Sequence, residues 1–319
     1  MLLGLLFSLL AAAVVADDPP STGSPNTLPV ILPPFDYGGA IEKGLMEHLP
    51  QTPVQVEIIA GQIPQDCKDR AQQQNISISD IEVFAASYND CDHPWTMCRV
   101  KSAKTNATTM ASMFGKMPLG MREYIRHVMV VEPESIPGAA AVSSGDTILF
   151  SDTSYRLYIF AHEMSHSLDS HVPVPGVTLE GHGGLSISQR WADQFRMDTA
   201  TVSDYARSAW QENLAENGPI ALYNIVVPGG IFSLESNATQ VFHQFATYTT
   251  YYRDIITPGG KKNCTGRLPD SPLVKSGLGS PGFIRPEGED VFKANITRIP
   301  PGLFHNDTFI FPLDHTHSH

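Results

Sequence analysis

Residues 160–169, FAHEMSHSLD, place His162 and His166 four positions apart, with Glu163 beside the first. On a helix, residues four apart lie about one turn apart on the same face, so two imidazoles can hold one ion between them at zinc-to-nitrogen distance. Glu163 then points toward the coordination position those ligands leave open. There a carboxylate can take the proton of a water that the ion polarises and later deliver it to a leaving amine. The chemistry implied is metal-assisted hydrolysis. A solvated pair of surface histidines would show the same five letters, so the motif needs a further ligand and an element to carry it.

A catalytic zinc takes three protein ligands. Three and six positions after His166 stand Asp169 and Val172, so the glycine and the histidine or aspartate of the metzincin spacing are missing, and no deuterolysin-like aspartate in a Gly-Thr context follows. What remains is a glutamate on a later helix. Residues 208–216, SAWQENLAE, meet that need: Ser208 and Gln211 read as a capping box, and Asn217-Gly218-Pro219 read as the helix end. Glu212 and Glu216 share one face of that helix, opposite Trp210 and Leu214. Glu212 would be the third ligand. Glu216 would accept a hydrogen bond from the far nitrogen of a zinc histidine and so fix its tautomer. The competing reading is a solvated acidic face. Asp169 has two readings of equal weight, an acceptor for a zinc histidine or a cap on its helix.

The elements that must position these groups follow from periodicity. In TSYRLYIFAHEMSHSLDSH, residues 153–171, Leu157, Phe160, Met164 and Leu168 form one apolar stripe, and the two histidines lie opposite it, facing whatever cleft is above. Pro173 and Pro175 stop the helix. Upstream, strands are predicted at 54–60, 81–87 and 124–133, a helix or loop between the first two, and a helix at 107–117. A hairpin of 138–144 and 147–152 turns at Gly145-Asp146. Downstream, helices are predicted at 186–198, 209–217 and 235–256, then a stretch rich in proline and glycine. Strands first and helices after predict an α+β domain, a small mixed sheet and an active-site helix followed by a mainly helical part. One hairpin strand, AAAVSS or TILFSD, is expected to form a sheet edge that binds substrate by strand addition.

The chain of 319 residues, 42% hydrophobic and 17% charged, has ample material for one sizeable core, while 25 prolines and 25 glycines predict long ordered loops. Residues 1–16, MLLGLLFSLLAAAVVA, read as a signal peptide cleaved after Ala16. As a membrane anchor the run falls short of the ~20 apolar residues that span a bilayer. Residues 17–36 are rich in proline, serine and threonine and read as an extended linker or wrapping arm. A metallopeptidase domain is expected over 37–313 and a histidine-containing tail over 314–319. Six sequons, at Asn75, Asn106, Asn237, Asn263, Asn295 and Asn306, predict N-glycans. The cysteines Cys67, Cys91, Cys98 and Cys264 allow two disulfides in three connectivities. Cys91–Cys98 is the expected pair because it closes a short loop, leaving Cys67–Cys264. A four-cysteine zinc site would show two close pairs, and only one exists. An unpaired Cys98 could instead reach the zinc as a switch. His171, His182 and the tail residues His315, His317 and His319 are weaker metal candidates. Net charge is −12 with no extended basic cluster, which argues against nucleic acid and anionic membranes as partners. No G-x-S-x-G or P-loop pattern occurs.

HEMSH followed by DYARSAWQENLAE carries a resemblance. In the second stretch Tyr205 precedes Glu212 by seven residues and Glu216 follows it by four. Residues 153–217 resemble the catalytic domain of the anthrax lethal factor family of zinc peptidases, and the whole chain is similar to fungal secreted proteins described as conidiation-specific that carry this domain. The resemblance covers about a fifth of the chain tightly. It implies a zincin-like fold, zinc held by His162, His166 and Glu212, Glu163 as general base, and Tyr205 as the group that stabilises the oxyanion. A phenol beside the metal can donate to a developing tetrahedral oxygen without adding charge. None of the toxin's other domains is present, so a toxin-like substrate is not implied. The expectation is a secreted zinc endopeptidase acting on polypeptide. The rival is a secreted zinc-binding glycoprotein with little hydrolytic activity and a binding or structural role.

Overall fold

The computed structural model describes residue 18 and residues 21–179, 183–261, 263–277 and 309–312. The signal segment 1–16, the tail 314–319, the sequons at Asn295 and Asn306, and His182, His315, His317 and His319 lie outside these residues. After the arm at 21–36 come α1 (Glu42–His48), β1 (Val54–Ile59), β2 (Gln62–Pro64), α2 (Gln65–Gln73), β3 (Ile81–Tyr88) and β4 (Trp95–Val100). They are followed by α3 (Ala107–Lys116), α4 (Leu119–Arg122), β5 (His127–Val131), β6 (Ala139–Ser144), β7 (Thr147–Ser151) and α5 (Leu157–His171), which carries HEMSH. The helical part is α6 (Gln189–Met197), α7 (Trp210–Val226), α8 (Gly230–Leu234) and α9 (Phe242–Ile256). Two short strands, β8 (Leu273–Lys275) and β9 (Phe309–Pro312), complete the described elements.

One mixed sheet dominates, in the order β1-β3-β4-β5-β7-β6-β9, with β4–β5 and β5–β7 parallel and the other pairings antiparallel. Six of its strands come from residues 54–151, so the α+β reading holds. Strand alternation sends Phe84, Met97, Val128, Val130, Ile148 and Phe150 into a large core under the helices. The intervening Val83, Cys98, Met129, Val131 and Leu149 enter a smaller core on the other face, covered by Ile63, Cys67 and Ala71. The β6–β7 hairpin turns at Gly145 and Asp146, both in the left-handed region with φ of 58° and 64°, the backbone that a two-residue hairpin loop requires.

Several expectations change. The disulfides are Cys67–Cys98 and Cys91–Cys264, not Cys91–Cys98 and Cys67–Cys264. The reason is sheet geometry: Cys98 on β4 faces the smaller core, while Cys91 belongs to the larger core on the opposite face. Each therefore pairs with a cysteine on its own side, and Cys98 is closed to any switch role. The strand expected at 124–133 is only β5. TILFSD is not an edge: β7 lies between β5 and β6, and the outer side of β6 is itself paired with β9. The helix expected over 235–256 divides into a 3-10 turn, Ser236–Val241, and α9, whose first N–H groups, at His243 and Gln244, donate to the Asp198 carboxylate. No described helix is long and apolar enough to cross a membrane.

Candidate metal centre

α5 begins without a capping side chain of its own. Arg156 at the N-cap makes no such bond, and Glu42 from α1 accepts from the N–H groups of Leu157 and Tyr158 at 3.1 and 3.0 Å. A carboxylate at that position satisfies two orphan donors and complements the positive end of the helix dipole. The stripe of Leu157, Phe160, Met164 and Leu168 sits in the main core as its period requires. The opposite face, expected to look into an open cleft, is also buried, because α7 packs across it.

α7 runs to Val226 instead of ending at Asn217-Gly218-Pro219. It starts from Ala209, with no side-chain cap, and the Ser208 hydroxyl donates to the Tyr205 carbonyl, so the capping box does not form. Gly218 explains the continuation: a Cβ there would lie 2.1 Å from Ser165 Oγ and 2.9 Å from the Ala161 carbonyl of α5. Only a glycine lets the two helices approach this closely, and that approach carries Glu212 and Glu216 to the histidines.

His162 Nε2 lies 3.2 Å from His166 Nε2 and 3.2 Å from Glu212 Oε2, and His166 Nε2 lies 3.4 Å from the same oxygen. A tetrahedral zinc with bonds of about 2.05 Å separates its ligand atoms by about 3.3 Å. The triangle therefore has the size of one face of a zinc tetrahedron, and among the described residues these three form a group close enough to share an ion. His162 Nδ1 lies 2.9 Å from Glu216 Oε1. That contact holds a proton on Nδ1 and turns Nε2 toward His166 and Glu212, as a metal ligand would require. The Tyr37 hydroxyl donates to the Glu216 carbonyl at 3.1 Å.

Glu163 is fully buried and neither of its carboxylate oxygens has a hydrogen-bond partner, an arrangement that is costly unless a polar group is drawn in. Burial pushes its carboxyl up to about 8. Burial alone would lower His162, but hydrogen bonds to Glu212 and Glu216 push it up to about 10. Burial pulls His166 below its ordinary value. Burial opposes ionisation of Glu212, yet the two histidines hold its carboxyl well below the usual range. These directions describe a metal-free cluster that keeps protons on His162 and Glu163 beside an ionised Glu212, protons that a dication would displace.

Tyr205 stands in a 3-10 turn just before α7, its ring 6.0 Å from that of His162 and its hydroxyl bonded to Glu212. Burial, then the charges of Glu212, Glu163 and Glu216, raise its pKa, so it stays a protonated donor. The sequence candidates His162, Glu163, His166, Tyr205, Glu212 and Glu216 thus converge. Asp169 does something neither of its readings anticipated: its carboxylate takes the N–H and hydroxyl of Ser186 and the N–H groups of Gly184 and Leu185, pinning the loop after α5. Burial raises its pKa to about 6. His171 is apart from the cluster, bonded at 2.9 Å to Asp146 on the hairpin turn. Glu42, Tyr37 and Gly218 escaped the sequence reading. The first two act over long separations that leave no local signal, and Gly218 carries the opposite local signal, a helix stop.

The model of the family of conidiation-specific protein Con-13 matches residues 40–253, which include every residue of this cluster. A curated relative, conidiation-specific protein 13 of Neurospora crassa, is 28% identical over 226 residues, covering 70% of this chain and 62% of the relative. The chain thus spans less than two thirds of the relative it matches. No solved structure matches.

Proposed function

The chain belongs to the Con-13 family of conidiation-specific proteins, and from that premise we propose that it is a secreted zinc-dependent peptidase whose centre resembles that of the lethal factor family. The observation that carries the reading is the triangle of His162, His166 and Glu212, with edges of 3.2, 3.2 and 3.4 Å, together with the buried carboxyl of Glu163, next to His162 in the chain, which has no hydrogen-bond partner. Zinc on these three residues supplies Lewis acidity toward a carbonyl and toward water. Glu163, held protonated up to about 8 without metal, would release that proton to solvent when a dication is bound beside it, and its carboxylate would then serve as the base toward the attacking water. It then returns the proton to the amine nitrogen as the C–N bond breaks. Tyr205 donates its O–H to the oxygen that gains charge at the tetrahedral stage. Glu216 keeps the His162 ring in its ligating tautomer.

Leader-like residues 1–16 and two disulfides support secretion. Asn75, Asn106 and Asn263 are exposed and available to glycans, whereas Asn237 is half-buried with its amide on the Leu32 carbonyl. One observation favours the second reading, a zinc-binding glycoprotein with little turnover: the ligands are almost sealed, with His162 1% and Glu212 6% exposed. Glu163→Gln separates the two. The peptidase reading expects this variant to keep one zinc per chain and to lose about 10²–10⁴-fold in hydrolysis of a denatured protein. A zinc-loaded wild type that cleaves no member of a broad peptide library overturns it.

A further inference from the structure

The arm at residues 21–36 belongs to no part of the mechanism above, yet it touches both chain segments that flank the metal ligands. On one side Ser21 N donates to the Ile187 carbonyl, and ahead of the arm Asp18 N donates to the Gly176 carbonyl, both on the loop that leaves α5. Asp18 also accepts from Arg190 N at 3.0 Å. On the other side the arm exchanges hydrogen bonds with Thr201, through Thr201 N to Pro29 O and Ile31 N to Thr201 O, and buries Ile31 completely. Its 3-10 turn, Pro25–Thr27, packs on the turn Tyr205–Arg207.

Two side chains beside Tyr205 finish their bonding on the arm backbone. The Trp210 indole donates to the Gly23 carbonyl at 3.0 Å, and Arg207 Nη2 donates to the Asn26 carbonyl at 3.3 Å while its Nη1 holds Asp204. Trp210 is the first residue of α7, two before Glu212, and Arg207 is two after Tyr205. Within its own turn the Tyr205 carbonyl accepts from Ser208 N and from Ser208 Oγ. A one-turn 3-10 segment is weak by itself.

We propose that the arm is a positioning element of the active centre: through Gly23 and Asn26 it locks Arg207 and Trp210, and so sets where the Tyr205 hydroxyl stands against the metal ligands. This rests on the role assigned to Tyr205, and the test separates the two. Trp210→Phe removes the indole N–H and keeps an aromatic ring. Arg207→Gln withdraws the cation from Asn26, and Arg207→Lys restores a donor. In the full chain, Trp210→Phe with Arg207→Gln is expected to raise amide hydrogen exchange over residues 203–209 about tenfold while α5 stays protected. The same pair lowers kcat about tenfold at unchanged KM and unchanged zinc content, with partial rescue by Arg207→Lys. In a Tyr205→Phe background the pair costs nothing further in kcat. Unchanged exchange over 203–209, or a loss in kcat that adds in full to that of Tyr205→Phe, overturns the proposal. If the wild type hydrolyses no peptide, the function assigned above fails, and exchange alone decides whether the arm holds the turn.

Discussion

His162 is held at both ring nitrogens by carboxylates, and that arrangement makes the metal-free centre a proton trap. Its folded value of about 10 lies above the ordinary value of about 6.5. The stability it contributes is therefore complete below about 6.5 and is lost as pH rises through about 10. Zinc at the proposed centre would take the unprotonated ring and so compete with that proton, and its affinity is expected to climb over the same interval. The expected outcome is a metal-free protein whose Tm falls from pH 7 to 10, and a zinc-induced rise in Tm that grows across that range. Scanning calorimetry with and without zinc checks both, and a zinc shift independent of pH would contradict the protonation state given to His162. His162, Glu163 and His166 were legible because their spacing within a single helix is a geometric statement. Glu42, which caps that helix from 115 positions away, was not.

The crossing of α5 and α7 decides whether those residues form a site at all. Gly218 faces Ser165 and Ala161 so closely that a single methyl has no room. Gly218→Ala should cost about 1–3 kcal/mol of stability, the range for overpacking a well-fitted core. It should also push α7 outward, carrying Glu212 and Glu216 away from the histidines. The measurement is a urea midpoint together with a zinc competition titration: both are expected to fall, and an alanine variant with unchanged zinc affinity would show that the crossing is not what sets the triangle. Gly and Pro inside a helix cost about 1 and 3 kcal/mol in isolation, which is why Asn217-Gly218-Pro219 reads as an end. Here burial of the whole stretch from Glu212 to Tyr223 outweighs that local preference. The hairpin at Gly145-Asp146 shows the converse, a turn legible in two residues because it needs only its own backbone.

Across the whole molecule, the sheet separates two cores and each disulfide serves one of them. Cys91–Cys264 spans 173 positions and Cys67–Cys98 spans 31. Loop-closure entropy makes the longer link worth about 1.5 kcal/mol more. Cys91→Ser with Cys264→Ser should therefore lower the urea midpoint more than Cys67→Ser with Cys98→Ser, and the reverse order would point to strain or residual unfolded structure instead. Cysteine pairing depends on which face of the sheet a residue occupies and the sheet edge on strand order, relations fixed only when distant strands take their register. The sequence by itself determined the α+β order of elements, the HEMSH helix, its apolar stripe and the glutamates four apart, because helical period and residue chemistry are local. Only the tertiary structure decided that α7 continues through Pro219, that Glu42 caps α5, that cysteines pair across long separations, and that the arm binds the tyrosine turn. Each of those is set by burial shared between segments far apart in the chain, and burial is a property of the assembled layers.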